Sequence, residues 1–583
     1  MCFILDSTRL KNKFDKIKNM YILNNMASLQ KKKIHGKEYW YIVECRRVNG
    51  KPRPFVLEYI GKAENLLQRL QKQREKRVKS FSHGAVTALL KVGEEIELLD
   101  ILDRHLPGQI RDGFTVGQTM LLGAIHRVIK PASKRSFSQW VKTTTLPKLL
   151  NFDADRITSQ HFWDQMGQVS KEDIEKIEDA ILKKVNELHK LNWSVLFYDS
   201  TNFYTYIDST NSRNTIGQRG NNKQKRDDLR QFNLALLTTK DFFLPIFSYI
   251  YQGNRNDVSI FPEYLEKMLQ RLKSIIGQVE EITLVFDKGN NSQKGLDLLK
   301  EENIGYVGTL SIYSHPDLLN IPYKKYQQIE LTSGKKIIIY RTEKELWGKS
   351  HRIVIKKSEK LKEGQTRGFL KEIDKKINSL STLKETLRTP RARERNKEQL
   401  EQQIVKIISG QFIKDVIKVK IREEPAHQSG FDISWVMDSK KQNRIINEVF
   451  GKKIFFTNRM EWTDREIVEA YHGQSKIERI FRHLKNPYHF SVRPQYHWTD
   501  QKIKVHTFIC LLGLLLGELL RKKIFDAGIK MGLEEIIEQL SNIRQSTMIY
   551  YTGKKGKPKI ESQLEVMNDP EKILFETIQK TEV

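Results

Sequence analysis

Residues 193–199 read WSVLFYD, a short and nearly continuous apolar run that ends on an acid, Asp199. A run of this length and aromatic content has the pattern of a buried strand rather than of a helix. Its neighbours share that character. Gln231–Thr238 (QFNLALLT) and Phe242–Gln252 (FFLPIFSYIYQ) predict two further strands around a Lys240-Asp241 turn. Pro262–Ile276 has a helical period, and Ile282–Phe286 (ITLVF) predicts a fourth strand that runs into Asp287, Lys288 and Gly289. Ser292–Glu302 again reads as helix and Ile304–Leu310 as a fifth strand. The order strand, strand, strand, helix, strand, helix, strand predicts an α/β fold, a mixed sheet with flanking helices.

Downstream, Trp462–Lys485 reads WTDREIVEAYHGQSKIERIFRHLK. Ile467, Ala470, Ile477, Ile480, Phe481 and Leu484 recur at three- and four-residue steps, which predicts one long amphipathic helix. Thr463 suits the N-cap, with Glu466 three residues on completing a capping box. Tyr471, Gln474, Glu478 and Lys485 fall on one line of that helix. Lys476, Arg479 and Arg482 lie alongside and suit phosphate. Taken alone, the plainer reading of this row is a solvated face with salt bridges. Asp199, Asp287 and Glu478 together are another matter if the fold brings them to one place, as the resemblance set out next implies. Three converging carboxylates repel one another, and hard oxygen donors of this kind are what Mg²⁺ selects. Two such ions can activate a water or a DNA 3′-hydroxyl for in-line phosphoryl transfer. Asp208, Asp227, Asp228 and Asp257 compete as candidates; Asp227 and Asp228 read better as ion-paired or capping, and Asp257 as a turn residue, with support of the metal shell as its alternative. His472 and His483 flank Glu478 without a second ligand at a convincing spacing, and read as phosphate neighbours or surface groups.

The spacing of Tyr471, Gln474, Glu478 and Lys485 resembles the YREK signature of DDE transposases encoded by insertion sequences. Gln474 stands where that family usually has Arg. YDSTNFY around Asp199, GNRND at 253–257 and DKGN at 287–290 also resemble the family, so the likeness covers residues 190–545. It implies a ribonuclease-H-like catalytic core whose first and fourth strands are neighbours, with Asp199, Asp287 and Glu478 as catalytic residues and metal ligands. It implies Mg²⁺, with Mn²⁺ able to substitute, as a pair of ions. It assigns Tyr471, Gln474, Arg482 and Lys485 to DNA binding. The partners implied are the element's terminal inverted repeats and target DNA, in a complex built on a homodimer. The activity implied is DNA cleavage and strand transfer. The alternatives are a nuclease of the same fold that cleaves without joining, and a non-catalytic nucleic-acid-binding protein.

Composition bears on these choices. Among 583 residues, 101 Lys and Arg face 71 Asp and Glu, a formal charge of +30. Such an excess favours a polyanionic partner, because counterion release from phosphates drives binding. Charge alone equally suits a structural nucleic-acid-binding protein. The three cysteines, Cys2, Cys45 and Cys510, form no CxxC pair, which excludes a disulfide framework or cysteine zinc site and fits a reducing cytoplasm; a nucleoid-associated place there is what the resemblance implies. The apolar run at the N-terminus is too short for a signal peptide. Phe508–Leu516 is short of a membrane span and predicts a buried helix, so no membrane association is expected.

The expected organisation is then as follows. Residues 1–80 hold a basic β-hairpin, Glu38–Arg47 and Phe55–Ile60 around Asn49-Gly50, and a basic helix at 62–79, a candidate DNA contact. Residues 81–191 are helical, a candidate DNA-end-binding domain with a short helix within Ile157–Met166. Residues 192–310 form the first part of the catalytic domain. Residues 311–460 are an insertion, a β-unit with a protruding helical hairpin, whose Trp347 and Trp435 are candidates for stacking on an unpaired base. Residues 461–545 complete the catalytic domain, and 546–583 read as a polar tail.

Overall fold

The apolar run that opens the sheet continues past its acid. β1 spans Val195–Thr205, followed by β2 (Arg230–Thr239), β3 (Pro245–Gln252), β4 (Thr283–Val285) and β5 (Gly305–Leu310). The helices α1 (Asp257–Ile276) and α2 (Gln293–Glu301) fall between β3 and β4 and between β4 and β5. The element order is therefore the one the sequence predicts. The computed structural model describes residues 27–580 except 49–50, 67–75, 109, 209, 221–225, 227, 313, 320, 391–392, 394, 491, 493–494 and 551–558. The expected Asn49-Gly50 turn and Asp227 lie outside the described residues.

β1 pairs antiparallel with β2 and β2 with β3, while β1 and β4, and β4 and β5, are parallel. The sheet does not end at β5. β6 (Gln327–Glu330), β7 (Lys336–Leu346), β8 (Lys349–Lys357) and β9 (Lys452–Thr457) extend it to nine strands in the order β6-β7-β8-β9-β5-β4-β1-β2-β3. This corrects the expectation of a separate inserted β-unit. β5 is buried along its whole length, and its outer backbone groups need partners that water cannot supply; β9 provides them. What does stand apart is a helical piece with its own apolar cluster. Its helices α3 (Glu359–Arg388) and α4 (Lys397–Ile407) pack with the strands Ile417–Glu423 and Phe431–Met437 through Phe369, Ile373, Leu380, Leu400 and Ile433.

Period two along β1 sorts its side chains between the two faces of the sheet. Leu196 and Tyr198 join the cluster that takes in α1 residues Ile260, Phe261 and Tyr264. Val195 and Phe197 join the opposite cluster with Ile467, Ile477, Ile480 and Phe481. The second cluster is closed by α5 (Asp464–His472), α6 (Gln474–Lys485) and α7 (Asp500–Asp526). The expected single helix at 462–485 is thus two, divided at Gly473, whose φ of −60° and ψ of −28° keep the turn nearly helical. The capping box of Thr463 and Glu466 is present. α7 is long and apolar enough to cross a membrane, but 89% of its apolar window is buried inside the protein. α8 (Leu533–Asn542) follows, and α9 (Asp569–Gln579) occupies part of the expected tail.

Residues 84–189 are helical throughout the regular elements, as expected. The Ser159–Gly167 helix is capped by Thr158 and buries His161, Phe162, Gln165 and Met166.

A separate compact unit is made by the described residues within 27–83 and 542–568. It holds a three-stranded antiparallel sheet, Ala27–Ile34, Lys37–Val48 and Lys51–Gly61. The expected helix at 62–79 is corrected at its end: Lys76–Ser82 is a strand that pairs with Arg544–Tyr550, which pairs in turn with Lys559–Leu564. The expected tail is corrected by the same pairing. Arg544 closes it, donating from Nε to Ser80 Oγ at 2.6 Å.

Candidate active site

The period that sorts the core also aims the site. Asp199 lies two residues beyond Phe197 on β1, and Asp287 two beyond Val285 after β4, so both face the side of the sheet covered by α5, α6 and α7. Phe197 pairs with Val285 in the parallel register, which carried two residues on sets Asp199 beside Asp287. By the same count Thr309 follows Val307 on β5, Lys453 precedes Phe455 on β9, and Lys356 follows Val354 on β8, all on that face. Asp199 and Asp287 are half-buried; Glu478 on α6 is exposed.

α6 is tied to β1 at both ends of the span that carries Glu478. Gln474 Nε2 donates to the carbonyl of Tyr198 at 2.8 Å, one residue before Asp199. Lys485 Nζ donates to Thr201 Oγ1 at 2.5 Å, two residues after it, and lies 5.6 Å from the Phe203 ring centre. Between the helices, Gly473 comes so close to β1 that a Cβ there would stand 2.0 Å from Phe197 Cζ. These three contacts bracket Asp199 on the strand and Glu478 on the helix.

Asp287 is the most heavily supported acid. Tyr471 Oη donates to its Oδ1 at 2.9 Å and Thr309 Oγ1 to the same oxygen at 3.0 Å. Among the described residues no side chain donates to Oδ2. Burial opposes ionisation of Asp287, but the Lys288 backbone N–H, the Tyr471 and Thr309 hydroxyls and the Lys453 charge together outweigh it and hold the carboxyl below its ordinary range. Lys453 is itself lowered, chiefly by burial, although Asp287 and Glu478 both pull the other way. Its ammonium lies 4.1 Å from the Tyr471 ring centre. Burial first, then Lys335 and Lys453, bring Lys356 down to about 8. Its Nζ meets His472 Nε2 at 2.6 Å, and His472 falls to about 4, through burial first and the neighbouring lysines second. A cavity of about 550 Å³ opens from this edge, lined by Asp287, Thr309, Lys452 and Lys453 and, from the helical insertion, by Phe369 and Phe412.

Tyr471 and Gln474 do not face solvent as phosphate contacts would. They are 5% and 3% exposed, with their polar atoms turned to Asp287 and to the β1 backbone. Their expected DNA-binding role rests on the resemblance; what these two bonds do is hold the Asp287 carboxylate and tie α6 to β1. Arg482 is exposed and Lys485 half-buried. Lys356, Lys453 and Thr309 were not expected. The signal of the two lysines was faint, each in a basic pair at one end of an apolar strand, and Thr309 gave none. Of the competing acids, Asp228 is ion-paired with Arg226 at 2.8 Å, and Asp257 opens α1 while accepting from Tyr251 Oη at 2.5 Å. Trp347 packs on Phe456 at 5.2 Å between ring centres, whereas Trp435 lies half-buried with Lys384 Nζ 5.7 Å from its ring centre.

Residues 194–514, more than half of the chain, match the family model described as transposase DDE domain. Among solved structures, one titled as the cryo-EM structure of a piggyBac transposase synaptic complex with hairpin DNA is similar over 78% of this chain and 79% of that one, at 9% identity and a TM-score of 0.35. No curated protein sequence matches.

Proposed function

The chain belongs to the family of transposases with a DDE domain, and from that premise we propose that it is the transposase of an insertion sequence. On this reading it binds the element's terminal inverted repeats and cleaves and joins DNA with Asp199, Asp287 and Glu478. The observation that carries the reading is the bracketing of Asp199 and Glu478 by the Gln474–Tyr198 and Lys485–Thr201 hydrogen bonds, with Asp287 just past the end of the adjoining strand. The β5-β4-β1-β2-β3 half of the sheet supports a ribonuclease-H-like core.

Divalent metal ions fit this donor set. The acids are hard oxygen ligands, Asp287 is held ionised, and one of its oxygens is not engaged by a side chain. Asp199, Asp287 and Glu478 would hold the ions, Mg²⁺ by preference. When bound, such ions lower the pKa of an attacking water or 3′-hydroxyl and stabilise the leaving oxygen. The chain's own residues do the rest. Tyr471 and Thr309 fix the Asp287 carboxylate, while Gln474 and Lys485 fix the helix that presents Glu478. Lys356, Lys453 and Arg482 supply positive charge for the phosphates of the DNA end. A homodimer in the DNA complex is part of the same proposal.

The test uses labelled DNA ends taken from the inverted repeats flanking the gene, incubated with protein, Mg²⁺ and a target plasmid. Cleaved ends covalently joined to the target are the expected product. Cleavage without joining would instead make the chain a nuclease, and binding with neither would leave a nucleic-acid-binding protein.

A further inference from the structure

Five residues past Glu478, on the same helix, stands a second group of ligand atoms of different chemistry. His483 lies near the end of α6, His489 follows in the segment after it, and Glu534 sits in the first turn of α8. One nitrogen of each imidazole and one oxygen of the carboxylate lie within 4.8 Å of one another. His483 Nδ1 is 3.2 Å from Glu534 Oε1, and the two imidazoles meet edge to face with ring centres 5.1 Å apart. In a tetrahedral zinc site with bonds of about 2.0–2.1 Å, ligand atoms stand roughly 3.3 Å apart. The His483–Glu534 separation already is close to that value, and the remaining pairs of ligand atoms lie within 4.8 Å.

We propose that His483, His489 and Glu534 form a transition-metal site, suited to Zn²⁺, that clips the Gln474–Lys485 helix to the Leu533–Asn542 helix. Two imidazoles and one carboxylate are a borderline-soft set that favours Zn²⁺ over the Mg²⁺ expected at an all-carboxylate centre. A cleft of about 220 Å³, lined by His483, Glu534, Arg479, Glu518 and Arg521, gives water access for the fourth position. Arg479 is the competitor. Its Nε donates to His483 Nε2 at 3.2 Å and its Nη2 lies 3.8 Å from Glu534. When metal takes Nδ1, the neutral ring carries its proton on Nε2 instead, and Arg479, 63% exposed, turns outward to solvent. The two histidines, half-buried, are ordered by packing and not by metal alone. The site stands on this geometry and not on the catalytic reading, so either can fail without the other.

Tag-free full-length protein, stripped with a chelating resin and re-equilibrated with Zn²⁺ in millimolar Mg²⁺, should retain one zinc per chain by elemental analysis. Co²⁺ in its place should give the intense visible bands of a tetrahedral ion. His489→Ala should lose the equivalent, and Glu534→Gln should weaken it at least about tenfold. Asp287→Asn should keep it. Zinc should raise the melting temperature of the wild type and not of His489→Ala, while the two zinc-free proteins melt alike, which separates metal loss from misfolding. Equal zinc in wild type and His489→Ala, or loss of zinc in Asp287→Asn, overturns the proposal.

Discussion

The Tyr471 hydroxyl donates to Asp287 Oδ1 at 2.9 Å across 184 residues of sequence. It joins the helical half of the site to the strand half and acts on the charge of the acid as well as its position. Asp287 is held below its ordinary range by hydrogen bonds that burial opposes. A depressed carboxyl contributes stability above its unfolded pKa, and loses it as pH falls through the lower folded value.

Tyr471→Phe removes one of those donors and leaves Thr309 in place. The Asp287 pKa should rise toward its ordinary value, at a cost of about 1 kcal/mol in stability near neutral pH. Mg²⁺-dependent cleavage should be little changed at pH 8, and its acid limb should move to higher pH. A pH–rate profile measures this, and an acid limb identical to wild type would show that the hydroxyl does not tune Asp287.

Gly473 separates α5 from α6 because the chain passes too close to β1 for any side chain. A Cβ would meet Phe197 Cζ at 2.0 Å, and Phe197 is 1% exposed, so the ring has little room to yield. Gly473→Ala should lower stability by about 1–3 kcal/mol and reduce cleavage by displacing Glu478. Phe197→Leu in the same chain should recover part of both. A double-mutant cycle on melting and on cleavage reads the coupling. If the two changes simply add, the close approach does not set the helix position.

Much of this site can be read in the sequence, and the reasons for the rest are physical. Asp199 and Asp287 end apolar runs whose type is fixed locally, so their strands and their acids emerge together. The Gly473 break does not emerge, because its dihedral angles remain nearly helical. Tyr471 and Gln474 share the predicted line with Glu478, but which face of an amphipathic helix is dry depends on what packs there. Lys356 and Lys453 look like surface residues until β8 and β9 join the sheet, where they become register partners. The Arg544–Tyr550 strand reads as polar tail because its partner, around Ser80, is 464 residues away.

Lys356 should carry a pH-dependent share of DNA binding. Its folded pKa of about 8 lies below the ordinary lysine value of 10.5, so its charge is present at pH 7 and largely gone by pH 9. Between those values the unfolded chain holds the proton that the folded one releases, so this group's stability term grows as pH rises from about 8 to 10.5. Lys356→Met should reduce the slope of log K against log salt by about 0.9 at pH 7. The difference from wild type should shrink at pH 9. Equal slopes at pH 7 would place Lys356 off the DNA path.

The last prediction separates chemistry from grip at the acids themselves. Asp287→Asn keeps the shape of the side chain and can still accept from Tyr471 and Thr309, yet it removes a charge that Lys453 faces. Glu478→Gln does the same on an exposed position of the helix, where packing asks little of the side chain. Neither change removes a cation, so binding to the terminal-repeat DNA should hold or tighten slightly, since negative charge near the phosphates is lost. Cleavage and joining should both be abolished, because each variant lacks one anionic ligand of the proposed metal site. Lys485→Ala should fail in the opposite way, with weaker binding and, because the Thr201 tie is lost, slower but measurable cleavage. Gel-shift and cleavage assays on one DNA substrate compare all three. Cleavage by Glu478→Gln at the wild-type rate would remove Glu478 from the catalytic set, and the bracketing contacts would then need another explanation.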